Sequence, residues 1–251
     1  MLAVMNIRIL RALTTGAFLV ATMARAHAQT VEVHGRIEPG GVPGNRVALT
    51  LDACSGRYDQ ALIDFLVEHR IPATLFVTKR WLDRNAQAMA ALKAHLDLFD
   101  IENHGEKHIP PVIGKDREVY DIPGHADVAH LRREVLEGAR AVEGATGVAP
   151  RWYRGATGVY DLRAIEEIHR MGFRIAGFSV NADDGASLSK AGVVKRLRRT
   201  KGGDVIIAHM NKPDSDTAEG LSAGLRDLLA RGFVFVRLDQ VELSELPQAG
   251  P

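Results

Sequence analysis

Cysteine is nearly absent from this 251-residue sequence, which contains only Cys54. A single thiol cannot form a disulfide within the chain, so packing must stabilise the fold. Net charge is also nearly absent, because 32 Lys and Arg residues balance 31 Asp and Glu residues to give +1. That balance predicts no nucleic-acid partner. We interpret the basic run from Lys195 to Lys201 as the solvated face of a helix.

Long apolar runs are absent as well. The stretch from Ala12 to Ala24 is too short to cross a bilayer, which argues against a stable membrane anchor. It follows Arg8 and Arg11 and precedes Ala26-His27-Ala28, the order of a secretory signal peptide with a small-x-small cleavage site. We therefore predict a signal peptide over residues 1–28, cleavage before Gln29, and an exported protein that is periplasmic or secreted.

A Gly-x-Gly-x-x-Gly motif is missing after the first predicted strand, which removes support for a dinucleotide-binding fold. Helical patterns instead alternate with short apolar strands, and several helices end in glycine before such a strand. This alternation predicts a parallel sheet with helical crossovers, and seven strands favour a closed α/β barrel. We predict a leader at 29–45, a single domain at 46–243 and a tail at 244–251. The predicted strands are Val47–Leu51, Ala73–Val77, Leu98–Glu102, Arg151–Tyr153, Phe173–Val180, Val205–Ala208 and Phe233–Leu238. The predicted helices between the first three strands are Ala61–His69, capped by Asp59, and Asp83–His95.

Two histidines, His104 and His108, lie four residues apart just after the third predicted strand. If the segment from Asn103 to His108 is a helical turn, the two imidazoles share one face and can bind one metal ion. Residues 109–126 follow directly and contain too many proline and glycine residues for an element interior. We predict a long loop there that walls or covers a site.

Polar residues recur at the carboxyl ends of the predicted strands. They are Asp52, Asn103-His104, Arg154, Asp183-Asp184 and His209. In a parallel barrel the carboxyl ends of the strands form the face where active sites are built. A chance scatter of polar residues would fall as readily at the other ends. The convergence from five strands therefore predicts an active site at this face.

Together these residues predict metal-assisted hydrolysis of an amide. The histidine pair would bind a divalent metal ion, with zinc the favoured ion, which polarises a carbonyl oxygen and acidifies water. Asp52 is the candidate general base, and His209 is the candidate general acid for the departing amine. Arg154 and Asp184 are predicted to form an ion pair that holds the base in position.

These motifs, in this order, resemble the polysaccharide deacetylase family, also known as the NodB-homology domain or carbohydrate esterase family 4. The resemblance runs from Arg46 to Leu238. It implies a distorted (β/α)7 TIM-like barrel and a hydrolase that acts on carbon–nitrogen bonds other than peptide bonds. The matching segments are Val47–Asp52, His104–His108, Tyr153–Thr157, Ser179–Asp184 and Asp204–His209.

The resemblance implies the roles already predicted from the residue types. Asp52 is the base, His209 is the acid, and His104 and His108 are the metal ligands. It adds that Arg154 orients the base and that the backbone N–H of Thr157 faces the oxyanion. Asp184 is the match to the aspartate of the fourth motif.

The sequence departs from the family in its first motif, where a second aspartate that binds the metal is replaced by Ala53. Alanine cannot bind a metal, so three alternatives are open for the third ligand. They are Asp52, the thiolate of Cys54, and solvent. The sequence resembles a variant branch of the family with an Asp-Ala-Cys first motif.

Aromatic residues are sparse where the family carries them. Ala156 and Thr157 replace a proline and a tyrosine, and Gly185 replaces a tryptophan. Less aromatic surface for stacking a sugar leaves three functions open: N-deacetylation of an N-acetylated sugar in a polysaccharide, hydrolysis of a small cyclic amide or ureide, and a catalytically silent glycan- or metal-binding relative. We favour the first, because a silent relative would not need to keep both Asp52 and His209.

Overall fold

A computed structural model of the protein describes residues 29–39 and 44–250, so the predicted signal peptide at 1–28 lies outside the described residues. In the described part, the strands are β1 (Thr30–Ile37), β2 (Arg46–Ala53), β3 (Ala73–Val77), β4 (Phe99–Asn103), β5 (Glu118–Val119), β6 (Ile122–Pro123), β7 (Trp152–Tyr153), β8 (Val159–Asp161), β9 (Arg174–Ile175), β10 (Val180–Asn181), β11 (Val205–His209), β12 (Val234–Val236) and β13 (Leu243–Ala249). The α-helices are α1 (Gln60–Glu68), α2 (Lys79–Arg84), α3 (Ala86–Lys93), α4 (Val128–Thr146), α5 (Leu162–Arg170), α6 (Lys190–Leu197) and α7 (Thr217–Ala230).

A curled parallel sheet organises the fold. Its strands follow the order β10-β11-β2-β3-β4-β7-β9, and β12 pairs with the first half of β2. Every pair along this path is parallel, and helical crossovers connect most of its strands. The predicted single-domain α/β barrel is confirmed. The parallel arrangement also brings the carboxyl ends of the strands to one edge.

Strand β2 shows how the sequence divides the two faces of the sheet. Successive side chains of a strand point to opposite faces. Leu51 and Ala53 pack in the hydrophobic cluster that joins the sheet to the surrounding helices. Thr50 and Asp52 alternate with them and both accept a hydrogen bond from Arg154 on the other face. The interior of the barrel therefore receives the polar residues of β2.

A capping residue sets the start of α1 (Gln60–Glu68). Asp59 caps α1 as predicted, because its side chain accepts a hydrogen bond from the Leu62 N–H. The helix predicted from Asp83 to His95 is wrong in extent. It consists of α2 and α3, which meet at Asn85, where φ −124° and ψ 40° are not helical.

The strand predicted from Phe173 to Val180 is interrupted, and only its ends form β9 and β10. Between them, Gly177 lies against Gly35 of β1, so closely that a Cβ on Gly35 would be 2.9 Å from the Gly177 carbonyl carbon. The Gly35 N–H also donates to the carbonyl of Phe178 at 3.2 Å. This segment therefore leaves the main sheet to contact β1, which explains the break.

The predicted domain boundaries are too narrow. The leader at 29–45 contains β1, and the tail at 244–251 contains most of β13. These two strands pair antiparallel along seven residue pairs, from Val31 with Ala249 to Ile37 with Leu243. Strand β8 joins the other edge of β1. Both segments belong to the folded domain, because Val31, Val33 and Ile37 are buried.

The loop predicted at 109–126 is not wholly irregular. It contains the hairpin of β5 and β6, whose tip residues Tyr120 and Asp121 have φ of 52° and 61°. Two successive residues at positive φ are typical of a tight two-residue hairpin turn. Within residues 29–39 and 44–250, no helix is both long enough and apolar enough to span a bilayer.

Candidate active site

A cavity of about 410 Å³ opens at the carboxyl ends of the parallel strands. Asp52 from β2 and His209 from β11 both line it, and the sheet register pairs these two residues directly. Cys54 and His108 line the same cavity. The structure therefore brings the predicted base, the predicted acid and one predicted metal ligand to one place.

The predicted base is held by a buried arginine. Arg154 follows β7 and is 1% exposed. Its Nη1 donates to Asp52 Oδ1 at 2.9 Å and to Thr50 Oγ1 at 2.8 Å, and its Nε donates to the Ala176 carbonyl at 3.0 Å. The guanidinium also lies 4.3 Å from the centre of the Phe76 ring. Arg154 is thus fixed from several strands, as a residue that orients a base must be.

Charge decides the protonation of Asp52. Burial alone would raise the pKa of this carboxyl. The positive charge of Arg154 and the nearby imidazoles of His104 and His209 outweigh burial and lower the pKa below its ordinary value. Asp52 is therefore an ionised carboxylate at neutral pH, the state that a general base requires.

The predicted ion pair between Arg154 and Asp184 is not present. Asp184 has φ of 53° at a turn, and its carboxylate lies 3.5 Å from Arg196 Nη2, at the surface. Its backbone N–H donates to Asn181 Oδ1 at 2.9 Å. The left-handed turn directs Asp184 to the rim of the cavity, while Arg154 pairs with Asp52 instead.

Asp183, one residue earlier, is the carboxylate that pairs with His209; the sequence analysis placed it at a strand end but gave the role to Asp184. It is fully buried and binds His209 twice: Oδ2 accepts from the His209 backbone N–H at 2.8 Å and Oδ1 lies 2.9 Å from His209 Nδ1. A third hydrogen bond comes from Thr217 Oγ1 at 3.2 Å. Position in the chain is the signal that could have selected Asp183 over Asp184. Asp183 directly follows the buried Ala182, whereas Asp184 precedes a turn at Gly185.

Asp183 also sets the charge of His209. Burial would lower the pKa of this imidazole, but the hydrogen bond and charge of Asp183, together with the Cys54 thiol, raise it well above its ordinary value. A carboxylate at Nδ1 requires a proton on that nitrogen. His209 therefore remains protonated at neutral pH, the state that a general acid requires.

The two predicted metal ligands come together without the helical turn on which that expectation rested. Residues 104–108 form an irregular loop in which His108 has φ of 66°. Even so, the two imidazole rings lie 4.8 Å apart at an angle of 70°. Glu134 of α4 holds the loop, because its Oε1 accepts hydrogen bonds from the backbone N–H groups of Lys107, His108 and Ile109 at 2.9–3.2 Å.

These histidines and Cys54 form a donor set that fits a divalent metal ion. The ligand atoms of Cys54, His104 and His108 all lie within 4.8 Å of one another. His104 Nδ1 is 2.6 Å from the Arg154 carbonyl, which leaves Nε2 directed at the cluster. Metal-binding histidines usually engage their second nitrogen in this way. Imidazole and thiolate are ligands that zinc prefers.

Two aromatic residues of the cavity lie outside the positions where the family usually carries its aromatic residues. Tyr120, at the hairpin tip, and Phe178, next to the Gly177 contact, both line the cavity. Thr157 lines it too, with φ of 69° in a short 3₁₀ turn at Ala156–Gly158. The expected loss of aromatics at the family's usual positions is thus partly compensated by Tyr120, from the loop at 109–126, and by Phe178.

Fold and site together are those of an α/β barrel with a buried carboxylate, Asp52, and an imidazole, His209, at one cavity. The sequence profile of the polysaccharide deacetylase family matches residues 40–176, more than half of the chain. The chain therefore belongs to the polysaccharide deacetylase family. This confirms the predicted family. The Asp-Ala-Cys branch remains a prediction.

Individual relatives agree with this membership. The chain is 26% identical over 205 residues to the peptidoglycan-N-acetylglucosamine deacetylase PgdA of Listeria monocytogenes. The matched region covers 81% of this chain and 40% of that protein. The chain thus spans less than half the length of this relative. Among solved structures, PdaA of Bacillus subtilis, a family 4 carbohydrate esterase, is similar with a TM-score of 0.66 and 19% identity, over 89% of this chain and 88% of that one. A family pseudoenzyme from Bacillus anthracis is similar with a TM-score of 0.63 and 20% identity, over 78% and 65% of the two chains.

Proposed function

We propose that this protein is an exported, metal-dependent deacetylase that removes acetyl groups from an N-acetylated sugar of a polysaccharide. One observation carries the proposal. Asp52 and His209 face one cavity, and each is held in the required protonation state by its own buried partner, Arg154 or Asp183. A silent relative would have no need for two such pairs.

The residues divide the work of amide hydrolysis between them. Asp52, kept ionised by Arg154, accepts a proton from the attacking water. His209, kept protonated by Asp183, donates a proton to the departing amine. The backbone N–H of Thr157, at the cavity wall, is the candidate donor to the oxyanion.

His104 and His108 would hold the metal ion, which we propose to be zinc. When bound, zinc supplies Lewis-acid polarisation of the acetyl carbonyl oxygen. His104 keeps its orientation through the Arg154 carbonyl, so the same residue that orients the base also orients a ligand. The imidazole of His104 and the carboxylate of Asp52 are thereby held at fixed positions relative to each other.

Two observations support a sugar polymer as the substrate, one from the cavity wall and one from the relatives. Tyr120, which is exposed at the cavity, offers an aromatic surface to the face of a sugar ring. The named activity of the Listeria relative is removal of acetyl from N-acetylglucosamine of peptidoglycan. A silent relative is the second candidate, because Ala53 replaces a metal-binding aspartate and one structural neighbour is a pseudoenzyme.

Release of acetate tests the proposal. The zinc-loaded protein is incubated with N-acetylglucosamine oligomers and with peptidoglycan glycan strands, and a cyclic ureide is assayed in parallel for the alternative substrate. We expect acetate from a glycan and its loss in Asp52→Asn, with metal content unchanged. Asp64→Asn is the matched control, because Asp64 is an exposed carboxylate on α1 that hydrogen-bonds Gln60.

Two results would overturn this function. Folded, metal-loaded protein that releases acetate from no glycan would favour the silent relative, or the ureide if that substrate alone is hydrolysed. Full activity in Asp52→Asn would remove Asp52 as the base. Export is tested separately by the N-terminal residue of protein recovered outside the cytoplasm, which we expect to be Gln29.

A further inference from the structure

Cys54 occupies a position that the strand itself turns toward the site. In β2, Leu51 and Ala53 face the helices, and Ala53 is fully buried in the cluster that contains Trp81. Asp52 faces the cavity, and Cys54, two residues further, lines the same cavity. At the end of this strand, Asp52 and Cys54 therefore face the site, whereas Ala53 packs in the core.

The thiol of Cys54 lies among imidazoles. Its Sγ is 3.5 Å from His104 Nε2, the ligand nitrogen of His108 lies within 4.8 Å of it, and His209 lines the same cavity. The backbone is fixed as well, because Thr78 Oγ1 donates to the Cys54 carbonyl at 2.7 Å. In the described part of the chain, Cys54, His104 and His108 are the group of three donors close enough together to hold one ion.

Asp52 is the less suitable third ligand. Its Oδ1 already accepts from Arg154 at 2.9 Å, and its Oδ2 is 3.7 Å from His104 Nε2. Moving Asp52 onto a metal would remove the carboxylate from the buried guanidinium, and an unpaired buried charge is costly. Asp52 does not belong to the three-donor group.

We propose that Cys54 is the third protein ligand of the metal, a thiolate in the place where the family's carboxylate would act. This inference rests on the metal dependence proposed above and decides between the three ligands that the sequence left open. On binding, the Cys54 thiol releases its proton to solvent and a sulfur–metal bond forms. Asp52 then stays on Arg154 as the base.

A thiolate changes which metals the site prefers. Sulfur is a soft ligand that suits zinc, whereas magnesium, calcium and manganese prefer oxygen ligands. We therefore expect the protein to retain zinc or cobalt in the presence of a large excess of magnesium. A carboxylate variant, Cys54→Asp, is expected to shift this preference toward manganese.

Cobalt reports the ligand directly, because a thiolate bound to Co²⁺ gives a charge-transfer absorption in the near ultraviolet. The purified protein is freed of metal, loaded with Co²⁺, and its absorption and metal content are measured together. We expect the band in the wild type and in Asp52→Asn, where the sulfur is unchanged. We expect no band in Cys54→Ser, and no band in Cys54→Asp despite bound cobalt.

The single cysteine gives a second measurement. Because the chain contains no other thiol, reaction with Ellman's reagent reports Cys54 alone. We expect zinc to slow this reaction at least about tenfold and a chelator to restore it, since a coordinated thiolate is protected. Both readouts are independent of catalytic turnover.

The outcomes separate this inference from the proposed function. One equivalent of bound cobalt with no sulfur band, or a thiol that reacts equally fast with and without zinc, would overturn Cys54 as a ligand and leave a metal-dependent deacetylase intact. No metal uptake by wild-type protein would overturn both. If Cys54→Ser merely fails to fold, Cys54→Asp and the wild-type thiol assay still decide the question.

Discussion

Replacing Asp183 by asparagine is the sharpest test of the acid side of the site. Asp183 accepts three hydrogen bonds, and two of them, from the His209 backbone N–H and from Thr217, go to Oδ2. A backbone N–H can only donate, so the amide oxygen of the variant must take the Oδ2 place. The amide NH₂ then faces His209 Nδ1, which has to become an acceptor. His209 would be left neutral, with its proton on Nε2.

The size of the effect follows from that change of protonation. A positioned general acid contributes about 10² to 10⁴ in rate, and we expect Asp183→Asn to lower kcat by about 10² or more. Because Asp183 raises the pKa of His209, the wild type keeps the protonated acid to higher pH. Without that charge, the loss of activity on the alkaline side moves to lower pH. Lost hydrogen bonding at a buried site also costs about 1–3 kcal/mol of stability.

The assay is kcat for acetate release measured across the pH range, with the melting temperature recorded for each variant. Asp184→Asn is the matched control, because it makes the same chemical change one residue away, at a carboxylate that pairs at the surface with Arg196 and Asn181. We expect it to stay within about twofold of the wild type, as an exposed pair contributes little. An inactive Asp184→Asn beside a fully active Asp183→Asn would refute the assignment.

Three further predictions concern other parts of the molecule. Ala53→Asp would bury a carboxylate among apolar side chains, so we expect it to lower the free energy of unfolding by about 3 kcal/mol or more. Urea denaturation measures this change, and tighter metal binding without destabilisation would contradict the prediction. Tyr120→Ala would raise KM for long glycans about fivefold, since an aromatic contact contributes about 1 kcal/mol, and an unchanged KM would exclude Tyr120 from binding. Burial, then the charge of Asp100, raises the pKa of Glu102 to about 8. The folded state thus keeps a proton that the unfolded chain releases near its ordinary pKa, so stability falls from about pH 5 to about pH 8. Glu102→Gln should flatten that fall in melting temperature, and an unaltered slope would disprove it.

The fold was accessible from sequence where local signals are strong. Buried strands such as Val205–His209 and capped helices such as α1 were located within one or two residues. The leader was misassigned because β1 alternates buried and half-buried residues and has a polar composition. Its partner β13 lies more than 200 residues away, and no local pattern reveals such a pairing.

The site was predicted as a set of residues but not as a set of contacts. Asp52, Arg154 and His209 lie where their strand ends require. The choice between Asp183 and Asp184 depended on one turn at positive φ, which two adjacent aspartates do not reveal. Glu134 escaped notice because its task, accepting backbone N–H groups from the histidine loop, becomes visible only when α4 packs beside β4.

The pairing of β1 with β13 has a consequence for the order in which the molecule is completed. Strand β1 supplies Glu32 to the cavity wall, yet seven of its residues pair with the strand made last. During synthesis the barrel strands can pair while β1 still lacks its main partner. The β1 part of the cavity wall therefore gains its main partner only when Leu243–Ala249 joins the fold, and a chain that stops before this strand would pair Glu32 with β8 alone.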